Sequence, residues 1–413
     1  MEKENIVKKA IELLEKGEAK PYNIADFTHD ENLATEVRRL FLERKYGTEL
    51  KNISKGVIDF NDASNRNIEN TIGAVQLPVG YTEILVNGTY LKGLKLLFLA
   101  TTEGRLLAGV NRGASAINKS GGAITRIIKN GMTRSIILEF DSITDSANAI
   151  EYINSEEGKA IVGEAFREKS ARLSLTKIET FTTGRLLFIR YSATTEAAMG
   201  MNMVTIASTH ATIKLVERLR DKDIEARFLS ESGNMCVDKK PSAINLIEGR
   251  GESVVAEALI KKEILEEYFK VDAKRIEELN YAKNYIGSSL AGAAHNAHVA
   301  NILAATFIAY GQDVAQIVDG ANAIVDVKAR GEDLYISVYI PSLEIGTYGG
   351  GTRRETAKEL LIASGVYGSG DEKGVSKYML AELIAAGVLA GELNLIAAEA
   401  GKELSSAHAS LRR

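Results

Sequence analysis

Apolar residues recur at helical spacing twice near the N-terminus, at Ile6, Ala10, Leu13 and Leu14 and again at Leu33, Val37, Leu40 and Phe41, with Gly47 as a stop. The pattern predicts a helical N-terminal segment over residues 1–47. From Ser135 to Ser230 the period switches in a readable order. SIILEF reads as a strand and Ile143–Lys169 as helical; RLSLTKIETF and RLLFIRYSATT read as strands joined at Thr183-Gly184. Met203–Lys222 is again helical and IEARFLS is a last strand. The order β-α-β-β-α-β is that of a split βαβ, ferredoxin-like unit over 135–230. Glycine-rich turns and long apolar helices flank it at 48–134 and 242–413, and residues 231–241 form a connecting loop. The predicted class is α+β: a large discontinuous helix-rich domain with an inserted ferredoxin-like (βαββαβ) small domain and a helical N-terminal segment.

One stretch changes the picture if it is a membrane span. Gly287–Gln312 runs 26 residues without Asp, Glu, Lys or Arg. Asn296, Asn301, His295 and His298 would be costly in hydrocarbon, so it reads as a helix buried inside the protein with its polar groups facing a partner or ligand. The N-terminus lacks the apolar run and cleavage site of a secretory signal, so no export and no membrane association are expected. The 413 residues suffice for two or three domains. Lysine plus arginine (51) against aspartate plus glutamate (55) leaves a net charge of −4, with no global basic field for nucleic acid. A single cysteine, Cys236, excludes intrachain disulfides and cysteine-rich metal sites and fits a reducing cytoplasm.

Several strings carry candidate chemistry. Asp238-Lys239-Lys240-Pro241 sets two ammonium groups beside a carboxylate before a chain-breaking proline, readable as a cation-bearing loop or as a solvated surface pair. The INLI run after it looks buried. Glu103 follows the apolar strand LKLLFLA, where low-dielectric walls could keep its proton, although a carboxylate at a strand end is more often simply exposed. His295 and His298 have HxxH spacing, but no third ligand cluster accompanies them, so hydrogen-bonded core histidines are expected rather than a metal site. Glu196–Met203 joins strand to helix: Gly200 could admit a phosphate at the helix N-terminus, or the methionines could simply pack the core. No GxGxxG or GxxxxGK[ST] stands in a strand-turn-helix setting.

ENTIGAVQLPVG (69–80), ATTEG, NRGASAI, GMTR, AMGMNM, DKKPSAINLIEGRG, NAHVANILAATFIAYGQD, IGTYGGGT and the terminal Ala407-His408 follow one another over some 340 residues. Together they resemble the 3-hydroxy-3-methylglutaryl-coenzyme A reductases, in the soluble archaeal-type form. The resemblance implies reduction of the thioester to mevalonate and free coenzyme A by two hydride transfers from NADPH. It implies a large domain binding the coenzyme A thioester, NADPH on the inserted unit, and a homodimer with sites across the subunit interface. Lys239 then matches the oxyanion-stabilising lysine and Glu103 the proton donor. Asp313, near both, organises them, and His408 on a mobile C-terminal flap protonates the leaving thiolate. Arg134, Ser232, Asp238, Lys240, Lys283 and Asn301 match substrate-holding positions. Met199, Gly200, Met201 and Asn202 match the cofactor turn, with Ser170 and Arg172 offered to the 2′-phosphate.

The chain departs from the family pattern where GDAMGMNM becomes EAAMGMNM, so Ala197 replaces a cofactor-site aspartate. Tyr348 stands where IGTVGGGT has a small aliphatic residue, and Arg105 follows TTEG. Ala197 is the feature that would favour the alternative, a non-catalytic or impaired paralogue that still binds a coenzyme A thioester.

Overall fold

Alternating burial along β1 (Val79–Gly88) and an apolar run in β2 (Lys92–Ala100) make an antiparallel hairpin with one face, and then both, turned inward. Its turn is fixed from a distance: the Glu382 carboxylate accepts the N–H groups of Thr89, Tyr90 and Leu91 at 2.8, 3.0 and 2.7 Å. The computed structural model describes residues 2–51, 53, 67, 75–292, 294–368 and 374–401. Residues 69–74 of the ENTIGAVQLPVG string and His408 lie outside them.

The 17-residue strand β3 (Ala123–Glu139) belongs to two sheets. Its first half pairs with β1 and with β7 (Gly251–Ile260). Its second half, from Met132, pairs with β5 (Leu186–Thr194), and its last residues also pair with β6 (Arg227–Ser230). A register shift between Ile127 and Lys129 and a left-handed Gly131 turn the strand between them. One path runs β2-β1-β3-β7-β9-β8, with β8 Ile324–Arg330 and β9 Asp333–Leu343. The other runs β6-β3-β5-β4, with β4 Ser174–Thr183 and every neighbour antiparallel. The fold mixes helix and sheet, as the pattern predicted.

Buried side chains fall into two clusters. The larger surrounds helix Val375–Ala400, 26 residues long and apolar enough by length and composition to cross a membrane, but mostly buried inside the fold. The smaller packs helices 143–154, 156–169 and 201–220 on the second sheet path. Three N-terminal helices, Glu2–Lys16, Ile24–Thr28 and Glu31–Tyr46, occupy the predicted helical segment.

Three readings need correction. The helical stretch 143–169 breaks at Ser155, whose hydroxyl caps a new helix by accepting the Gly158 N–H at 3.1 Å. Gly287–Gln312 is not one helix. A π-helical turn (Tyr281–Gly287) runs into the four-residue helix Ser288–Ala291; left-handed Gly292 ends it, and a new helix begins at Val299. One of the polar residues that argued against a membrane ties the turn between the two helices: Asn296 donates to the Ala321 and Ala323 carbonyls and accepts the Val299 N–H at the start of the new helix. The INLI run is a short helix (Ala243–Glu248) in which Ile247 is exposed and Asn245 is the buried residue.

Candidate active site

The loop 231–241 leaves β6 and holds three non-glycine residues in the left-handed region: Asn234, Val237 and Lys239, at φ 59°, 52° and 57°. Each costs about 1–2 kcal/mol, most plainly the β-branched Val237, so the surroundings must impose the shape. They do so through backbone ties. The Gly233 N–H donates to Ser135 O (2.8 Å) and the Lys239 N–H to Asp319 Oδ2 (2.8 Å); Asn245 Nδ2 donates to Cys236 O (3.2 Å). The result aims Lys239 Nζ at Asp313 Oδ2, 2.9 Å away. Asp313 is itself fixed, because Oδ1 accepts the Ala315 N–H at 3.2 Å.

Beneath the loop lies a charged cluster that the motifs did not single out. Arg250, fully buried, reaches Asp238 Oδ1 (2.9 Å), Glu344 Oε1 (2.8 Å), Asp319 Oδ2 (3.8 Å) and Gln316 Oε1 (3.2 Å). One guanidinium faces three carboxyls. Burial pushes Asp319 up to about 6, against the pull of Arg250 and the Lys239 N–H, and pushes Glu344 well above the usual carboxylate range. Asp238 is also burdened by burial, yet Arg250, Gln316 and Lys239 together hold it below its ordinary value. Asp238, expected to face substrate, thus gives Oδ1 inward to Arg250 and Gln316 (2.9 Å each) and acts as the loop's anchor. A sequence signal did exist: Arg250 between glycines and Glu344 between leucine and isoleucine are charges in otherwise apolar or turn-forming strings.

Glu103 belongs to a second group. Its N–H donates to Thr101 Oγ1 (3.0 Å), and its Oε1 accepts from Asn301 Nδ2 at 3.3 Å. Asn301 stands in the first turn of helix Val299–Ala309, whereas Asp313 lies beyond the last, so about 12 Å of helical rise separates them. Asp313 therefore meets Lys239 within one chain, while Glu103 is met by Asn301. The expectation that Asp313 stands near both does not hold for a single copy. Lys283, on the π-helical turn, pairs with Glu399 of the long C-terminal helix. Arg134 Nε donates to Glu231 O (2.8 Å), Ser232 is bonded through its backbone to Ser230, and Lys240 Nζ donates to Asp238 O (3.1 Å). His295 turns to Ser289 and His298 to the Gly391 carbonyl, so the two rings have separate partners.

The Glu196–Met203 turn is a third group. Gly200, at φ 85°, is the N-cap of helix Met201–Arg220 and carries no capping side chain, which leaves first-turn N–H groups of Met201 and Asn202 for a ligand. Arg172 Nε lies 3.8 Å from the Glu196 carboxylate and its N–H donates to Ser170 Oγ (3.1 Å), so the 170–172 segment reaches the same turn. From the other side the glycine-rich string closes on it. The Thr347 N–H donates to Ala197 O at 2.8 Å, and a Cβ on Gly346 would stand 2.6 Å from Met199 N, so only glycine fits there. Buried Lys377 supports the turn through Thr195 Oγ1 (3.2 Å) and pairs with Glu252 (2.9 Å). Uncapped helix N–H groups beside an arginine and a serine are a donor set that fits phosphate groups.

Known proteins supply the remaining evidence. Residues 34–413 match the family model for hydroxymethylglutaryl-coenzyme A reductase. The chain is 44% identical over 411 residues to the 3-hydroxy-3-methylglutaryl-coenzyme A reductase of Pyrococcus abyssi, covering 98% of this chain and 100% of that one. It is 47% identical over 386 residues to the enzyme of the same name from Aeropyrum pernix, covering 92% of this chain and 90% of that one. Its fold is similar to the class II reductase of Streptococcus pneumoniae solved with NADPH, with a TM-score of 0.68 at 17% identity over 88% of this chain and 96% of that one. On this evidence the chain belongs to the hydroxymethylglutaryl-coenzyme A reductase family.

Proposed function

We propose that the chain reduces 3-hydroxy-3-methylglutaryl-coenzyme A to mevalonate and coenzyme A at the expense of two NADPH. The observation that carries this reading is the Lys239–Asp313 pair, held at 2.9 Å by a strained loop with fixed backbone ties. NADPH supplies a hydride to the substrate carbonyl carbon in each of the two reductions. Lys239 stabilises the negative charge that develops on the carbonyl oxygen, and Asp313 keeps the ammonium aimed there. Glu103, held by Asn301, delivers a proton to that oxygen when the aldehyde is reduced. His408 protonates the departing thiolate. Arg134, Ser232, Asp238, Lys240, Lys283 and Asn301 hold the substrate, with the cations toward its free carboxylate. Met199, Gly200, Met201 and Asn202 hold the cofactor, with Ser170 and Arg172 at the 2′-phosphate.

In this reading residues 135–230 form the ferredoxin-like cofactor unit and 48–134 with 242–413 the thioester domain, joined by the loop 231–241; the separate smaller hydrophobic cluster supports that division. The two ends of helix Val299–Ala309 carry two half-sites, Glu103 with Asn301 and Lys239 with Asp313, so a second copy of the chain completes each site.

The test mixes purified protein with NADPH and the thioester and measures cofactor oxidation alongside free thiol. Two NADPH consumed per thiol released is the expected stoichiometry; thioester binding without oxidation would instead support the impaired paralogue that Ala197 suggests. For the shared site, Glu103→Gln and Lys239→Ala chains are each expected to have severely reduced turnover as pure proteins. Unfolded and refolded together, they are expected to regain partial turnover through hybrids with one intact site, and no recovery would count against a site built from two copies. Arg172→Ala should raise the KM for NADPH about 10-fold or more and leave NADH, which lacks the 2′-phosphate, unaffected; an equal change for both cofactors would remove Arg172 from that role.

A further inference from the structure

Behind Asn301 lies a side chain to which the reaction assigned no task. We propose that His298 is a positioning residue for Glu103, fixing the Asn301 amide so that it turns its nitrogen, not its oxygen, to the carboxylate. The inference rests on the reading of Glu103 as proton donor.

The argument follows the protons. His298 Nε2 lies 2.9 Å from the Gly391 carbonyl oxygen, which can only accept, so the ring proton sits on Nε2. With that proton on Nε2, Nδ1 is left as the ring's acceptor, and it stands 3.4 Å from Asn301 Nδ2. With the amide turned over, its carbonyl oxygen would face that acceptor and the Glu103 carboxylate together. The geometry therefore permits one amide orientation, in which Nδ2 serves both His298 Nδ1 and Glu103 Oε1 (3.3 Å). The backbone that carries the ring is held in turn: buried Glu392 accepts the main-chain N–H groups of His298 (2.7 Å) and Ala297 (2.8 Å). Three links thus run from the C-terminal helix to Glu103: Gly391 to His298, His298 to Asn301, and Asn301 to the carboxylate. Oε1 is occupied as an acceptor, and Oε2 is left to carry the proton of the reaction.

Two near-isosteric variants separate positioning from packing. His298→Gln keeps a donor where Nε2 stood and loses the acceptor facing Asn301; His298→Asn keeps an acceptor near Nδ1 and loses the bond to Gly391. With mevaldehyde and NADPH as substrates, His298→Gln is expected to lower kcat on the order of 10- to 100-fold with little change in the KM for mevaldehyde. His298→Asn should retain more of kcat despite its lost anchor. Glu103→Gln, inactive on mevaldehyde, serves as the reference. His298→Gln at wild-type kcat beside an inactive Glu103→Gln overturns the inference alone. Losses in both histidine variants that simply follow their melting temperatures also overturn it. Glu103→Gln at wild-type turnover would overturn the site reading and this inference with it.

Discussion

Lys239→Ala is expected to lower thioester reduction at least 100- to 1,000-fold, about what removal of one oxyanion-stabilising donor costs. The loss should fall on kcat and appear equally with mevaldehyde, because both reductions build negative charge on a carbonyl oxygen. Folding should be untouched. The Lys239 ammonium is partly exposed, and the loop is held by its backbone N–H on Asp319, which alanine keeps. Steady-state kinetics on both substrates, beside a thermal melt, check the point; a variant that loses activity on the thioester alone would move the lysine to thiolate departure.

Arg250→Met is the second large effect, this time on stability. Three carboxyls converge on the buried guanidinium, and its removal strands them, a change that costs about 3–5 kcal/mol. The denaturant midpoint should fall with an unchanged slope, and less so at acid pH, where the stranded carboxyls are neutral. The wild-type cluster has its own pH signature, with two windows of opposite sign. Asp319, raised to about 6, binds its proton more tightly in the folded state, so its ionisation lowers stability as pH rises from about 4 to 6. The implied change is on the order of 3 kcal/mol. Asp238, held below its ordinary value, contributes stability that is present above about pH 4 and lost as pH falls through its folded value. Glu344 is raised in the same direction and adds to that slope, so Asp319→Asn should make it shallower between pH 4 and 6 than in wild type; an unchanged slope across that range would show that Asp319 titrates normally.

The second sheet path was legible because its helices and strands switch period cleanly, and β4 and β5 fall where the alternation of RLSLTKIETF and RLLFIRYSATT put them. Lys239, Asp313 and Glu103 were legible as motif residues, but their distribution over two ends of one helix was not, since spacing along a chain does not say which ends of elements meet. Arg250, Asp319 and Glu344 escaped because a buried ion cluster has no period; its only trace is a charge where an apolar residue would suit the burial. Glu382 and Glu392 left the same trace, as isolated carboxylates in the apolar helix Val375–Ala400, each answered by backbone N–H groups of a distant turn.

That β3 serves two sheets bears on how this protein can be cut. An inserted unit usually hangs by two linkers and can be excised or transplanted between them. Here the first junction, between 134 and 135, falls inside a continuous strand, so excision of 135–230 would take the five residues by which β3 pairs with β5 beyond Arg134 and leave Met132, Thr133 and Arg134 behind without their β5 partners. A transplantable module would have to start at Met132, inside the strand, so the two sheet paths are expected to be engineered as one.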